Sequence, residues 1–210
     1  MKISLKNISK KFKNNTIISD VNLEFESGNI YGIIGRNGSG KTILLKIICG
    51  FISPSSGQVL FDNKVLGKDL KLPESTRCLI EKPEFISSMS GYQNLKLLAD
   101  IQSLIGENEI INTLKRVNLY DDKDKLYYKY SLGMKQKLGI AQVLMEDPKV
   151  IVLDEPFNGI EDISAKQIRN ILKEEAKNGK IIIIASHIKE DIEQLCDKVY
   201  KIDDKKIIEM

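Results

Sequence analysis

The chain has 210 residues, 42% hydrophobic and 29% charged, enough apolar material for one globular core with a subdomain attached. Its net charge is only +3 with acids and bases interspersed, so neither a nucleic-acid partner nor direct binding to an anionic membrane is expected. The three cysteines, Cys49, Cys78 and Cys196, are odd in number and far apart; this excludes a disulfide framework, pairs no two of them as a metal or redox site, and fits a reducing cytosol.

Near the start, "ISLKNI" and "VNLEFES" alternate as strands do, the second with Val21, Leu23 and Phe25 on one face and Asn22, Glu24 and Glu26 on the other. Ser27 and Gly28 make a turn, and the apolar strand "IYGII" then runs straight into "GRNGSGKT". The following "ILLKIICGF" has helical apolar spacing, with Gly50 as its C-terminal stop. "SPSSGQVLFDNKV" reads as turn, strand, Asp62-Asn63 turn and strand. From about Gly91 to Met145 the pattern changes to helical periods ("NLKLLADIQSLI", "EIINTLKRVNL", "MKQKLGIAQVLM"). Strands return at "KVIVLD", "KIIIIAS" and "KVYKI", with a helix over Ile163 to Lys177 between the first two. A last strand, "KIIE", follows an Asp203-Asp204 turn. Near-continuous apolar strands alternating with helices imply a parallel sheet covered on both faces. No apolar run reaches the roughly 18 to 20 residues that cross a bilayer, and no apolar leader opens the chain. A membrane role would therefore need its membrane part from another chain.

Gly35 to Thr42 fits G-x-x-x-x-G-K-[ST] between a strand and a helix, the context this phosphate loop requires. Gly35, Gly38 and Gly40 permit positive φ and close approach, so successive N–H groups, with Arg36, Asn37 and Ser39 among the loop residues, can point at phosphate oxygens beside a helix N-terminus. Lys41 reaches for the β- and γ-phosphates, and Thr42 is a ligand for Mg²⁺. Asp154, ending "VIVLD", supplies a second oxygen for the metal. Glu155 is then free to act as general base on the attacking water; alone, it would read as an acidic strand cap. His187 is the only histidine. It follows the strand "IIIIAS" at the edge where ligands bind in open α/β sheets, positioned to bond the γ-phosphate and water.

Taken in order, "GRNGSGKT", "YSLGMKQ", "VIVLDEPFNGIED" and "IIIASH" resemble the nucleotide-binding subunit of an ATP-binding-cassette (ABC) transporter over essentially the whole chain. The resemblance implies an α/β P-loop NTPase, with a RecA-like parallel core, an N-terminal antiparallel β subdomain and a helical insertion carrying the signature. One domain spans 1–210, its catalytic core and β subdomain at about 1–80 and 146–210 and its helical part at about 85–145. It also implies ATP and Mg²⁺, a second ATP-binding subunit closing head to tail as a homodimer, integral membrane permease subunits, and a place on the cytoplasmic face of the membrane. Ser131, Gly133 and Met134 would then contact the ATP held by the partner, with Ser131 an N-cap whose helix favours the anion.

Several positions depart from the family pattern. The usual Leu-Ser-Gly-Gly-Gln signature is Tyr130-Ser131-Leu132-Gly133-Met134 here. The family's coupling-loop glutamine, which also contacts the metal, is replaced by Glu81 in "CLIEKPEF". A carboxylate accepts but does not donate when ionised, so Glu81 keeps a metal contact and loses the amide's donor. The contact across the dimer that usually falls to aspartate falls to Glu161. Phe12 stands in the place of the aromatic that stacks on adenine, and reads equally as a β-region core residue. "SLGMKQ" and Glu81 resemble the bacitracin-resistance and lantibiotic-immunity exporters, implying an amphipathic peptide antibiotic as cargo. The rivals are a soluble ABC ATPase working on DNA or ribosomes, and a metabolic P-loop kinase; neither heptads nor a repeat supports the first, and the second leaves Ser131 to Met134 without a role.

Overall fold

The computed structural model describes residues 1–73 and 75–210. Strands β1 (Lys2–Phe12) and β2 (Asn15–Glu26) form a long hairpin joined by β4 (Ser56–Phe61) and β5 (Lys64–Val65) in an antiparallel sheet of order β2-β1-β4-β5. The alternation has the expected consequence: Ile3 faces Phe25 and Leu5 faces Leu23 across the ladder, all buried, while Glu24 and Glu26 stay in solvent. The β1–β2 register shifts between Leu5 and Lys11. The hairpin carries Phe12 to the sheet's end, where it is 48% exposed.

The second sheet has the order β10-β9-β3-β8-β7-β6, from β3 (Ile30–Ile34), β6 (Thr76–Leu79), β7 (Val150–Asp154), β8 (Ile181–Ser186), β9 (Lys198–Asp203) and β10 (Lys206–Glu209). Its strands run parallel except for β10, which returns antiparallel on β9. Every residue of β3, β7 and β8 is buried, because both faces are covered. On one face, α1 (Lys41–Ile48) and the antiparallel sheet enclose Phe25, Tyr31, Leu44, Leu45, Val152 and Ile183. On the other, α2 (Gly91–Gln102), α3 (Glu107–Arg116), α4 (Leu132–Leu144) and α5 (Asp162–Lys177) build a second core around Leu95, Leu114, Leu138, Leu153 and Leu172.

Helix ends follow their capping chemistry. Past Cys49, the last residue of the α1 turn, Gly50 has φ 76; its N–H bonds the Ile47 carbonyl and that of Phe51 bonds Lys46, a Schellman closure. Ser90 and Gln93 form a capping box on α2, and the Ser131 hydroxyl accepts from the Met134 N–H at 3.2 Å to start α4. Strand β6, the single turn after β8 and a short 3-10 turn at Tyr127–Lys129 lay outside the sequence expectation. Strand β6 carries Thr76 and Arg77 and is too short for a period to show; Arg77 bonds Glu146. The single turn α6 (Lys189–Glu193) follows β8. Helix α5 starts one residue earlier than expected, at Asp162.

Parallel pairing fixes the site. Ile34 is level with Ser186 in the β3–β8 ladder, and Asp154 with Ala185 in the β7–β8 ladder. The segments after β3, β7 and β8 therefore leave the same edge of the sheet together.

Candidate nucleotide site

The loop between β3 and α1 is shaped by its glycines. Gly40 has φ 107, and a Cβ there would come 3.0 Å from side-chain carbons of Ile17 and Ile18; a Cβ on Gly35 would meet the Ser39 Oγ at 2.6 Å. The loop can take this path only without those side chains. Lys41 is 6% exposed, its ammonium donating to the carbonyl of Gly35 at 2.9 Å and of Arg36 at 3.4 Å, and lying 3.7 Å from Glu155 Oε1. The buried Ser39 Oγ has no hydrogen-bond partner among the described residues. An unmet hydroxyl beside a buried ammonium, at a helix start, suits phosphate oxygens.

Next to Lys41 in the chain, the Thr42 hydroxyl donates to Asp154 Oδ2 at 2.5 Å. Two hard oxygens from a hydroxyl and a carboxylate are a donor set that Mg²⁺ accepts, with waters and phosphate completing its shell. Burial pushes the Asp154 carboxyl above its ordinary value; the Thr42 hydroxyl opposes this, Glu155 adds to it, Lys41 opposes it and Glu81 adds to it.

Glu155 follows with φ 49, a left-handed conformation in which its N–H bonds the Ala185 carbonyl at 2.8 Å. Its Oε2 accepts two bonds from the end of β8, from Ser186 Oγ at 3.2 Å and the His187 N–H at 3.3 Å, and lies 2.8 Å from His187 Nδ1. The imidazole's other nitrogen, Nε2, is left for a ligand, and the ring is 43% exposed. The Gln136 amide of α4 donates to the Glu155 carbonyl at 3.3 Å. A cleft of about 630 Å³ opens here, lined by Phe12, Lys41, Thr42, Glu81, Asp154 and Glu155 among others, within the size range of small-molecule sites.

The remaining sequence candidates divide. Phe12 is no core residue: its ring borders the cleft, with Lys10 Nζ 4.9 Å from its centroid. Arg36, Asn37 and Gly38 form the exposed crest of the loop. Glu81, at φ 66, pairs with Lys46 at 2.6 Å while lining the cleft. Ser131 caps α4, Gly133 would place a Cβ 2.7 Å from the Gly159 carbonyl, and Met134 is half-buried against the helical core. Glu161 precedes α5 with no side-chain capping bond. Sequence reasoning missed Ser186, Gln136 and Lys46. Ser186 adjoins His187 but no spacing rule marks it, and the roles of the other two depend on packing between elements distant in the chain.

The family model for the ABC transporter matches residues 18–158. An uncharacterized ABC transporter ATP-binding protein, YybJ of Bacillus subtilis, is 40% identical over 195 residues, covering 93% of this chain and 89% of the relative. The bacitracin transport ATP-binding protein BcrA of Enterococcus faecalis is 37% identical; the match covers 94% of this chain but only 65% of the relative. The lantibiotic transport ATP-binding protein SrtF of Streptococcus pyogenes is 34% identical, with 98% and 89% covered. Among solved structures, cbiO1 of Clostridium perfringens, part of the transporter complex cbiONQ, superposes with TM-score 0.83 at 31% identity, covering 98% of this chain and 86% of that one. A dimeric ATP-binding cassette, MJ0796, bound to ADP and Pi gives 0.87 at 20% identity, covering 99% and 97%, a likeness of fold. The family match together with the assembled phosphate loop, Asp154, Glu155 and His187 is conclusive: the chain belongs to the ABC transporter family, as an ATP-binding subunit with ATPase activity.

Proposed function

We propose that two copies of this chain close head to tail over two ATPs and so drive a separate integral membrane permease, at the cytoplasmic face of the membrane, to export an amphipathic peptide antibiotic. The observation that carries the catalytic part is the Glu155 carboxylate, held by His187 and Ser186 on one side and within 3.7 Å of the Lys41 ammonium on the other. A base held by two donors with the His187 ring against it loses little freedom when a water is placed before it. Lys41 exchanges the carbonyls of Gly35 and Arg36 for phosphate oxygens, Ser39 finds its missing partner, and Phe12 offers a ring face to the adenine. Thr42 and Asp154 would hold Mg²⁺, whose charge, when bound, offsets that of the β- and γ-phosphates. Glu81 stands close enough to share in that site once it leaves Lys46. His187 Nε2 donates to the γ-phosphate.

The partner-facing half of the site is taken as Ser131, Gly133 and Met134 at the start of α4, with Glu161 touching across the dimer. We treat about 85–145 as the helical part that carries this half-site, attached to a catalytic core of about 1–80 and 146–210. No helix among the described residues is long and apolar enough to cross a membrane, which is why a separate permease enters the proposal. Support for the cargo comes from Glu81, "SLGMKQ" and the names of BcrA and SrtF. The test is light scattering of Glu155→Gln protein with and without ATP and Mg²⁺. An ATP-dependent dimer that Ser131→Arg abolishes is the expected result; a monomer that binds ATP, even when the permease is added, would sink the proposal. Unchanged resistance to every tested lantibiotic and bacteriocin after gene deletion would refute the cargo alone.

A further inference from the structure

Glu155 and His187 stand on separate segments, one leaving β7 and one leaving β8, and they meet through the tip of the Glu155 side chain. Such a meeting keeps its geometry only if the backbones beneath it are braced. One side chain reaches both segments. Arg169, on α5, donates from Nη1 to Asp191 Oδ1 at 2.6 Å, and its guanidinium carbon lies 5.2 Å from the centroid of the Phe157 ring. Phe157 is two residues past Glu155, and Asp191 is four past His187.

A planar guanidinium can turn its face to a ring and its edge to a carboxylate at once, which the point charge of an ammonium cannot do. The side chains of Arg169 and Asp191 are 17% and 16% exposed, so salt screens this pair less than a surface one. Both ends of the brace are anchored. Phe157, Ile168 and Leu172 share one buried cluster, so Arg169 rises from a packed helix. Ile192, beside Asp191, is fully buried and leaves no room for a Cβ on Gly32 of β3. Arg169 is not among the residues that line the cleft, so its part in the reaction is indirect.

We propose that Arg169 is a positioning residue for ATP hydrolysis: by bracing the Phe157 loop against the Asp191 turn, it holds the Glu155 carboxylate against the His187 ring. This rests on Glu155 acting as the base that activates water, and not on the peptide-export reading. The signature of such a role is a loss of turnover without a loss of nucleotide binding. Lys41, Thr42 and the phosphate loop belong to α1 and the segment before it, which the brace does not touch.

The test compares Arg169→Leu, Arg169→Lys and Asp191→Asn in the full chain by ATP hydrolysis, by binding of a fluorescent ATP analogue, and by the ring carbon–proton NMR signal of His187. That signal needs no assignment, because His187 is the only histidine. Arg169→Leu should lower kcat by about tenfold to a hundredfold, the scale of a misplacement of about 1 Å, with analogue binding unchanged and the His187 signal displaced. Asp191→Asn should also lower kcat, and the double variant should lose no more than Arg169→Leu alone, because both cut one link. Where Arg169→Leu does not fold, Arg169→Lys carries the test: it keeps a charge for Asp191, gives up the ring face, and should still turn over more slowly. Unchanged kcat in folded Arg169→Lys and Asp191→Asn protein, a KM that rises with kcat intact, or a His187 signal that stays in place would each overturn the proposal. In Glu155→Gln protein, Arg169→Leu should cost nothing further in single-turnover hydrolysis; an equal loss there would show that Arg169 acts on the fold at large and not through Glu155. Full turnover in Glu155→Gln alone would instead refute the base, and the brace with it.

Discussion

Glu155 holds a left-handed backbone, φ 49, that costs a residue with a side chain about 1–3 kcal/mol. The surrounding bonds to Ala185, Ser186, His187 and Gln136 maintain it and aim the carboxylate into the cleft. Glu155→Gln should cut ATP turnover by about 10²–10⁴-fold, the worth of a general base, while fluorescent ATP analogues still bind. Asp154 gives a stability prediction with a definite sign. Burial raises its folded pKa above the ordinary 3.8, so its favourable contribution is complete below that value and is lost as pH rises through the folded pKa. At neutral pH the buried charge is a net cost. Asp154→Asn should therefore raise the melting temperature of the nucleotide-free protein by about 2–4 °C, the scale of ~1 kcal/mol in a chain of this size, and should abolish hydrolysis. A lower melting temperature would show that the bond from Thr42 outweighs burial. The phosphate loop, Asp154, Glu155 and His187 were legible in the sequence because their chemistry depends on residue type at fixed spacing. The strain at Glu155 and the part of Ser186 were not, since both arise where two strands end side by side.

At the scale of elements, α1 and α4 were readable from period and cap, with Gly50 and Ser131 as the punctuation. Strand β6 was not, because an edge strand of four residues that exposes part of Thr76 and Arg77 carries no periodic signal. The start of α4 has a structural task and a proposed binding task, and two substitutions separate them. Ser131→Ala removes the cap and should lower the melting temperature by about 2–4 °C, as loss of ~1 kcal/mol does. Ser131→Asp keeps an N-cap oxygen but sets a carboxylate where a phosphate should arrive. Its melting should match the unaltered protein while ATP-dependent dimerisation fails; normal dimerisation would remove Ser131 from the half-site.

Across the whole molecule, the alternation of strands and helices announced a parallel sheet covered on both faces, but it did not give the strand order or show how the segment after Glu81 is held to the helical part. Tyr127 donates to the Pro83 carbonyl at 2.7 Å, Asn94 holds both backbone groups of Ile86, and a Cβ on Gly139 would come 2.9 Å from Leu79 and Pro83. Glu84 is exposed on this clamped segment. Glu84→Lys should leave ATP hydrolysis by the isolated chain intact and depress transport in vesicles holding the proposed permease; equal loss of both would place Glu84 in the catalytic machinery. Contact between Gly133 and Gly159 joins the beginning of α4 to the loop after Glu155 with no room for a methyl group between them. In the proposed dimer, whatever moves the first moves the second, so each chain would register its partner's nucleotide as a displacement beside its own base. Hydrolysis should then rise with ATP concentration more steeply than a simple hyperbola, with a Hill coefficient above one and bounded by the number of sites, and Gly133→Ala should flatten that curve.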